Sequence, residues 1–235
     1  TINGFFDGDE PVAQSPILGV IPSGTGGDYR KTWGFSRDVA ENAARLGGRE
    51  TVPVDLGRIS WDEPGQGPMS RYFANIASFG MGAEVSRRVN ESSKRLGGRV
   101  SFFLASLAAA ATYRRMNVTL VTDGDAGRRS SLNVGAVALG RYQGGGMKMA
   151  PNADVSDGLF DVVTISGRSM FGMLGMTSIY KGAHLDHRAV DHWRGAVIEA
   201  TADAPCFIEA DGEVFGRLPA RFEILPGAFR MKVAS

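Results

Sequence analysis

Three clusters of residues have the types and spacing to do chemistry. The first is Ile208-Glu209-Ala210-Asp211-Gly212-Glu213, where Asp211 and Glu213 stand two residues apart after an apolar stretch. In an extended segment residues i and i+2 point to the same side. Paired carboxylates there can deprotonate a hydroxyl and hold the base in place. A polar turn before Val214 is the other reading of the same residues.

The second cluster runs from Gly144-Gly145-Gly146-Met147 through Ala150-Pro151 to Asp154-Val155-Ser156-Asp157-Gly158-Leu159. Three adjacent glycines imply a special backbone path and weaken any regular element. Asp157 with nearby carbonyls would suit Mg²⁺, a hard cation that takes few protein oxygens and keeps several waters. Asp-Gly is equally a turn signal. It recurs at Asp7-Gly8 and at Asp123-Gly124, and the latter sits between two strand-like runs and reads as a turn.

The third cluster is Pro22-Ser23-Gly24-Thr25-Gly26-Gly27-Asp28, between a short apolar strand and a helical stretch. Strand, glycine-rich loop and helix form the context in which backbone N–H groups face a phosphate. The plain alternative is a strand-to-helix turn with Asp28 as N-cap. His184, His187 and His192 lie close together, but no cysteine or HExxH pattern accompanies them, so they read as surface or packing residues rather than a zinc site.

The elements that must position these groups change character along the chain. Ile2 to Phe6 reads as the first turns of a helix, Ile17 to Ile21 as a strand, Tyr29 to Trp33 and Ser36 to Leu46 as helices, the last stopped by Gly47-Gly48. From there short strands dominate: Thr51 to Leu56, Tyr72 to Phe79, Val118 to Thr122, Leu132 to Leu139, Leu159 to Ile165, Ala196 to Thr201, Cys206 to Glu209, Phe222 to Leu225 and Phe229 to Val233. One long helix, Val100 to Met116, interrupts them. Strands punctuated by turns predict a sandwich or barrel. The expected divisions are an α/β part at 1–47, a β domain at 48–228 and a final strand at 229–235 that either closes the β domain or returns to the first part.

Composition sets the outer limits. The chain has 235 residues, 43% hydrophobic and 22% charged, an ordinary globular balance. A net charge of +1 gives no electrostatic case for nucleic acid. The lone cysteine, Cys206, rules out an internal disulfide and suits a reducing compartment. The apolar run from Val100 to Ala111 is too short to span a bilayer, which takes about 20 residues, and no signal-peptide pattern is evident.

The order of the clusters resembles a known family. Thr-Ile-Asn-Gly at Thr1–Gly4 resembles the tail of the GGDGT-I-N-E motif of diacylglycerol and sphingosine kinases. Pro22 to Tyr29 resembles their P-x-GT-x-ND-F block. Gly144 to Met147, with Ala150-Pro151-Asn152-Ala153 and Asp157-Gly158, resembles the GGG-M…P-x-A…DG block. Asp211-Gly212-Glu213 with Leu218-Pro219 and Pro226-Gly227-Ala228 resembles the closing DGE…LP…PGA block. The resemblance extends over nearly the whole chain.

It implies an α/β plus β fold: the remainder of an N-terminal Rossmann-like, phosphofructokinase-like ATP domain followed by a C-terminal β-sandwich. It implies an ATP- and Mg²⁺-dependent lipid kinase acting on diacylglycerol or a similar lipid alcohol, cytoplasmic, reaching its substrate by peripheral membrane contact. Carried over by position, Thr1, Ile2, Asn3, Gly24 and Thr25 would touch nucleotide. Asp157, with the main chain of Asp154 and Leu159, would hold a structural Mg²⁺, and Asp211 and Glu213 would supply the catalytic base. Two departures stand out, Gly4 where the family has Glu and Gly27 where it has Asn. The GGDG that precedes Thr-Ile-Asn in the family is not in this chain, and the chain alone is expected to be inactive. An NAD-kinase-like enzyme and a non-catalytic lipid- or nucleotide-binding homologue stay open, as does a homodimer.

Overall fold

The computed structural model describes residues 2–7, 10–13, 16–23, 27–85 and 115–233. The chain opens with a 3₁₀ turn, Ile2–Phe5, and two short strands, β1 (Phe6–Asp7) and β2 (Glu10–Pro11), which pair with each other. Then come β3 (Ile17–Leu18), α1 (Asp28–Trp33) and α2 (Val39–Gly47). The Asp38 side chain starts α2 by accepting the Glu41 N–H at 2.8 Å, so the helix begins three residues later than the expected Ser36.

Among the described residues, the rest is mostly β structure. The strands are β4 (Thr51–Glu63), β5 (Gly67–Phe73), β6 (Ile76–Gly80), β7 (Met116–Thr122), β8 (Arg128–Leu132), β9 (Val134–Ala138), β10 (Phe160–Ile165), β11 (Val190–Gly195), β12 (Val197–Ala202), β13 (Phe207–Ala210), β14 (Glu213–Arg217) and β15 (Ala220–Lys232). One helix, α3 (Met173–Lys181), lies between β10 and β11. One sheet runs β11-β10-β9-β6-β13-β14. The other runs β5-β4-β15-β12-β7-β8, with β3 added on β15. Their inner faces interleave Ile59, Phe73, Phe79, Phe160, Val162 and Phe222 into the main core.

The central strands β6, β9 and β10 are buried at every residue. Their outer face carries Ile76, Val134, Ala136, Val163 and Ile165, covered by Met147, Met149, Met170, Met176 and Ile179. Cover on both faces is why these strands read as continuous apolar runs rather than alternating ones. The edge strands β11 and β14 mix charged and aromatic residues, as edges do, and the sequence pattern passed over both. It also passed over α3, whose Gly175 keeps clear of the Met170 backbone: an added Cβ there would meet Met170 Cα at 2.4 Å.

Several expected segments divide or merge. Tyr72 to Phe79 is two strands in different sheets, split at Ala74-Asn75. Leu132 to Leu139 splits at Asn133. Phe222 to Leu225 and Phe229 to Val233 are one strand, β15, paired with β4 from Thr51 to Trp61 and shifted in register between Leu225 and Phe229. Pro226 has no N–H to give the ladder there, and Gly227 turns through φ 60°. Of the expected helix Val100 to Met116, residues 100–114 lie outside the described part and Met116 opens β7.

The last strand has two sets of neighbours. Up to Leu225 it belongs to the sandwich. Beyond the bulge, Arg230 and Met231 pair in parallel with Ile17 and Leu18. There Phe229 and Met231 are fully buried with Phe35, Val54 and Leu56, and Ile2, Phe5, Phe6, Leu18 and Trp33 pack against them. This cluster ties the first fifty residues to the β structure. Phe229→Ala should cost about 3–5 kcal/mol, the usual loss for a buried Phe→Ala, read as a lower urea midpoint at unchanged slope. A loss under about 1 kcal/mol would show that the first segment does not depend on this packing.

Candidate functional site

The six-stranded sheet has one chemically loaded end. Gly195 faces Phe160, Asp161 faces Ala138, Ala138 faces Ile76, and Ala77 faces Ala210, which faces Glu213. Across this row the segments 157–159, 139–147, 74–75 and 211–212 all leave the sheet on the same side.

Asp211 and Gly212 form the two-residue loop between β13 and β14. Both have positive φ, 51° and 91°, the requirement of the tight turn that suits the twist of a hairpin. The turn aims the Asp211 carboxylate inward. Oδ2 accepts the Ala74 N–H at 2.8 Å, and Oδ1 accepts those of Asn75 and Ile76 at 3.1 and 3.2 Å. The Asp211 N–H in turn donates to the Ile76 carbonyl at 3.1 Å. Three amides from successive residues thus close on one carboxylate, a backbone nest for an anion. Enclosure still lifts the Asp211 carboxyl above the ordinary carboxylate range, against the pull of the three amides, and the Glu213 charge adds to the rise.

Glu213 points elsewhere. Its side chain is 70% exposed and its Oε2 lies 3.0 Å from Arg71 Nη2. The expectation that Asp211 and Glu213 share one side of an extended segment is therefore corrected. The left-handed turn between them sets one carboxylate on the 74–76 amides and the other on Arg71.

A third carboxylate, not assigned a role from the sequence, lies just behind them. Glu209 is 2% exposed. Its Oε1 accepts the Gly212 N–H at 2.6 Å, and its Oε2 accepts Ser78 Oγ and Gln143 Nε2, each at 2.7 Å. Burial pushes its carboxyl up from 4.5 to about 7, opposed by Ser78, Gly212 and Gln143 and assisted by the charge of Asp211. A charged residue between Ile208 and Ala210 in an otherwise apolar strand is the sequence signal that could have found it.

The glycine run is a closed loop. Gln143 and Met147 exchange backbone hydrogen bonds at 2.9 and 3.0 Å. Gly144, Gly145 and Gly146 take φ of 64°, 83° and 116°, and side chains are strained in all three. The Gly145 N–H donates to Asp28 Oδ2 at 2.7 Å, while Asp28 Oδ1 holds Lys31 Nζ at 2.9 Å. Gly27, not Asp28, caps α1. Gly27 has φ 65°, a conformation that Asn also tolerates, so Gly in place of the family's Asn preserves the backbone. Thr32 Oγ1 accepts the Arg141 N–H at 3.0 Å, and Asn75 Nδ2 donates to the Tyr142 carbonyl at 2.9 Å. The first segment and the sheet end are therefore laced together through residues 139–145.

Thr1, Gly24 and Thr25 lie outside the described residues. Ile2 packs into the Phe229 cluster. The Asn3 amide is spent on the Tyr72 main chain, donating to its carbonyl at 3.1 Å and accepting its N–H at 2.8 Å. It thus fixes the residue that leads into the nest at 74–76.

The 154–159 loop sits at the same sheet end, but off to the side. Asp161 and Asp211 are separated by three strand spacings, about 14 Å at roughly 4.8 Å each. Asp154 Oδ1 accepts the Ser156 N–H and Oγ at 3.0 and 2.9 Å. Asp157 Oδ1 accepts the Leu159 N–H at 3.1 Å, and Oδ2 holds the Arg194 guanidinium. The Gly158 and Gly227 N–H groups donate to the two oxygens of Asp55, each at 2.8 Å. Carboxylate and carbonyl oxygens on a turn are the donors Mg²⁺ takes. Arg194 is 44% exposed and already has a second acceptor, Asp161 Oδ2, at 3.4 Å. Among the described residues no group of three or more acidic, histidine or cysteine side chains is placed to hold a metal ion, and Arg194 occupies the Asp157 carboxylate.

Comparison with known proteins decides the family. Residues 75–233 match the family model of the YegS C-terminal NAD kinase beta sandwich-like domain. A diacylglycerol kinase of Mycobacterium tuberculosis is 31% identical over 218 residues, 91% of this chain and 68% of the relative. The chain belongs to the YegS-like lipid kinase family. A diacylglycerol kinase of Bacillus subtilis is a more distant family member, 25% identical over 224 residues and matched over 71% of its length. The fold agrees: a crystal structure of a Bacillus anthracis diacylglycerol kinase superposes with a TM-score of 0.63 at 18% identity, covering 91% of this chain and 65% of that one.

The raised carboxyl of Glu209 has a consequence for stability. Between about pH 4.5 and about 7 the folded chain keeps a proton that the unfolded chain has released. Stability contributed by this group is present below that window and is lost as pH rises through it. Urea midpoints of the wild type should fall across the window, and Glu209→Gln should flatten that fall. An equal slope in the variant would assign the pH dependence to other groups.

Proposed function

We propose that this chain forms the acceptor side of an ATP- and Mg²⁺-dependent lipid kinase. The observation that carries the reading is the Asp211-Gly212-Glu213 hairpin turn, anchored on the 74–76 amides, leaving Glu213 exposed on Arg71, and tied through Glu209 and Gln143 to the glycine loop that Asp28 holds. The two carboxylates divide the work. Asp211, with three amides on its oxygens, holds the turn. Glu213 keeps an exposed oxygen able to accept a proton, and Arg71 orients it.

In the reaction so proposed, Glu213 takes the proton of the lipid hydroxyl as its oxygen attacks the γ-phosphorus. A new P–O bond forms, and the bond to the ADP oxygen breaks. The Gly145 and Gly146 backbone can approach phosphate oxygens because no side chain intervenes. Lys31, neutralised on one side by Asp28, adds positive charge there. Asp157, with main-chain oxygens of Asp154 and Leu159, would hold a structural Mg²⁺, with Arg194 moving to Asp161; the bound ion would neutralise the loop's own carboxylates. Thr1, Gly24 and Thr25 are proposed on the nucleotide side, while Ile2, packed on the Phe229 cluster, and Asn3, bonded to the Tyr72 main chain, would hold that segment in place rather than touch the nucleotide.

The acceptor is diacylglycerol or a similar lipid alcohol, the substrate class named in the family's curated members. Among the described residues no helix is long and apolar enough to cross a membrane. The proposed route to substrate is peripheral contact from the cytoplasmic side.

The test is phosphorylation by the full-length polypeptide with γ-labelled ATP. Diacylglycerol, phosphatidylglycerol and sphingoid-base vesicles are compared, with NAD as a further acceptor. Label in lipid and not in NAD is expected. Glu213→Gln should lower kcat about 10²–10⁴-fold, the range for a lost general base, with the thermal midpoint unchanged. Asp211→Asn should lower both kcat and the midpoint, because an amide N–H would face the donors of the nest. Undiminished turnover in Glu213→Gln would end the base assignment, and label in NAD alone would end the lipid reading.

A further inference from the structure

We propose that Glu209 is a positioning residue that locks the Asp211–Glu213 turn to the glycine loop, and so sets the distance between accepting hydroxyl and transferred phosphoryl; this rests on the lipid-kinase reading above. Glu209 does not touch substrate, since it is 2% exposed. It acts through two main-chain segments. Its Oε1 holds the N–H of Gly212, the middle residue of the turn, at 2.6 Å. Its Oε2 holds the side chain of Gln143, the residue that closes the glycine loop against Met147, at 2.7 Å. Ser78 Oγ, on the neighbouring strand β6, braces both partners, 2.7 Å from Glu209 Oε2 and 3.2 Å from Gln143 Nε2.

The physical argument is one of cost against use. A buried carboxylate is expensive, and a well-packed apolar side chain of similar volume is often more stabilising. Here the charge joins two loops at the loaded end of the sheet, where a placement error of about 1 Å can cost about 10²-fold in rate. The raised carboxyl is the sign of that cost. Three donors converge on it, so its ionised form satisfies them all, and the charge of Asp211 opposes ionisation.

The test exchanges the two partners in the full-length polypeptide. Glu209→Gln sets an amide N–H against a donor. Gln143→Glu sets carboxylate against carboxylate. The double variant, Glu209→Gln with Gln143→Glu, restores a reversed pair. Its introduced amide places a carbonyl on the Gly212 N–H and an N–H on the carboxylate introduced at position 143. Each single change should lower kcat about 10–100-fold, the range for loss of a supporting hydrogen bond. Hydrogen exchange at Gly212 and at Gly144 to Gly146 should quicken while strands β6 and β9 stay protected. The double variant should regain most of both. Gln143→Ala, which leaves Glu209 on Ser78 and Gly212, gives the same reading if a charge variant fails to fold. Wild-type kcat and exchange in a folded single variant, or a double variant no better than the worse single one, would overturn the proposal. A wild type that labels no lipid fails the kinase reading instead, and the exchange arm then still decides whether Glu209 ties the loops.

Discussion

Everything at the loaded end of this molecule depends on one carboxylate meeting three consecutive amides. Residues 74–76 are where the chain leaves one sheet and enters the other, and a strand that changes sheets must give up its ladder partners. The N–H groups of Ala74, Asn75 and Ile76 would be orphaned there, and a buried orphan costs about 1–3 kcal/mol each. Asp211 satisfies all three from the opposite side of the β13–β14 turn. The same contact that lets the sandwich switch sheets therefore fixes the turn that presents Glu213. Fold and site share an interaction, so neither can drift without the other.

Around that anchor the structure uses backbone rather than side chains to bring segments together. Asn3 clamps Tyr72 in both directions. Asn75 reaches the Tyr142 carbonyl, and Asp28 receives the Gly145 N–H. Each is a short polar side chain gripping the main chain of another segment, a link that loses little rotamer entropy. Glu209 does the same with a buried charge, against an unfavourable desolvation term that the three donors only partly offset. Buried polar networks are high in consequence for this reason: fully satisfied, they specify one arrangement.

The 154–159 loop obeys a different logic. Asp157 and Asp161 would repel each other, and Arg194 from β11 neutralises both. At partly exposed sites such pairs contribute little stability, so Arg194 serves here to balance the two carboxylates rather than to hold the fold.

Much of this was legible in the residues themselves. The order of the glycine run, the Asp-Gly turns and the closing acidic turn pointed to the family, and the apolar runs Leu132 to Leu139 and Leu159 to Ile165 announced strands. Local chemistry carries such signals: glycine where φ must be positive, β-branched residues where a sheet is covered. What tertiary structure alone decided was direction and partnership. Asp211 and Glu213 diverge because the turn between them is left-handed. Tyr72 to Phe79 is two strands because a carboxylate more than 130 residues away binds the amides in its middle. Glu209 is satisfied because Ser78 on the neighbouring strand and Gln143 in the glycine loop, both distant in sequence, meet it. Periodicity along a chain reports which face is buried, but it carries no record of which distant donor will arrive there.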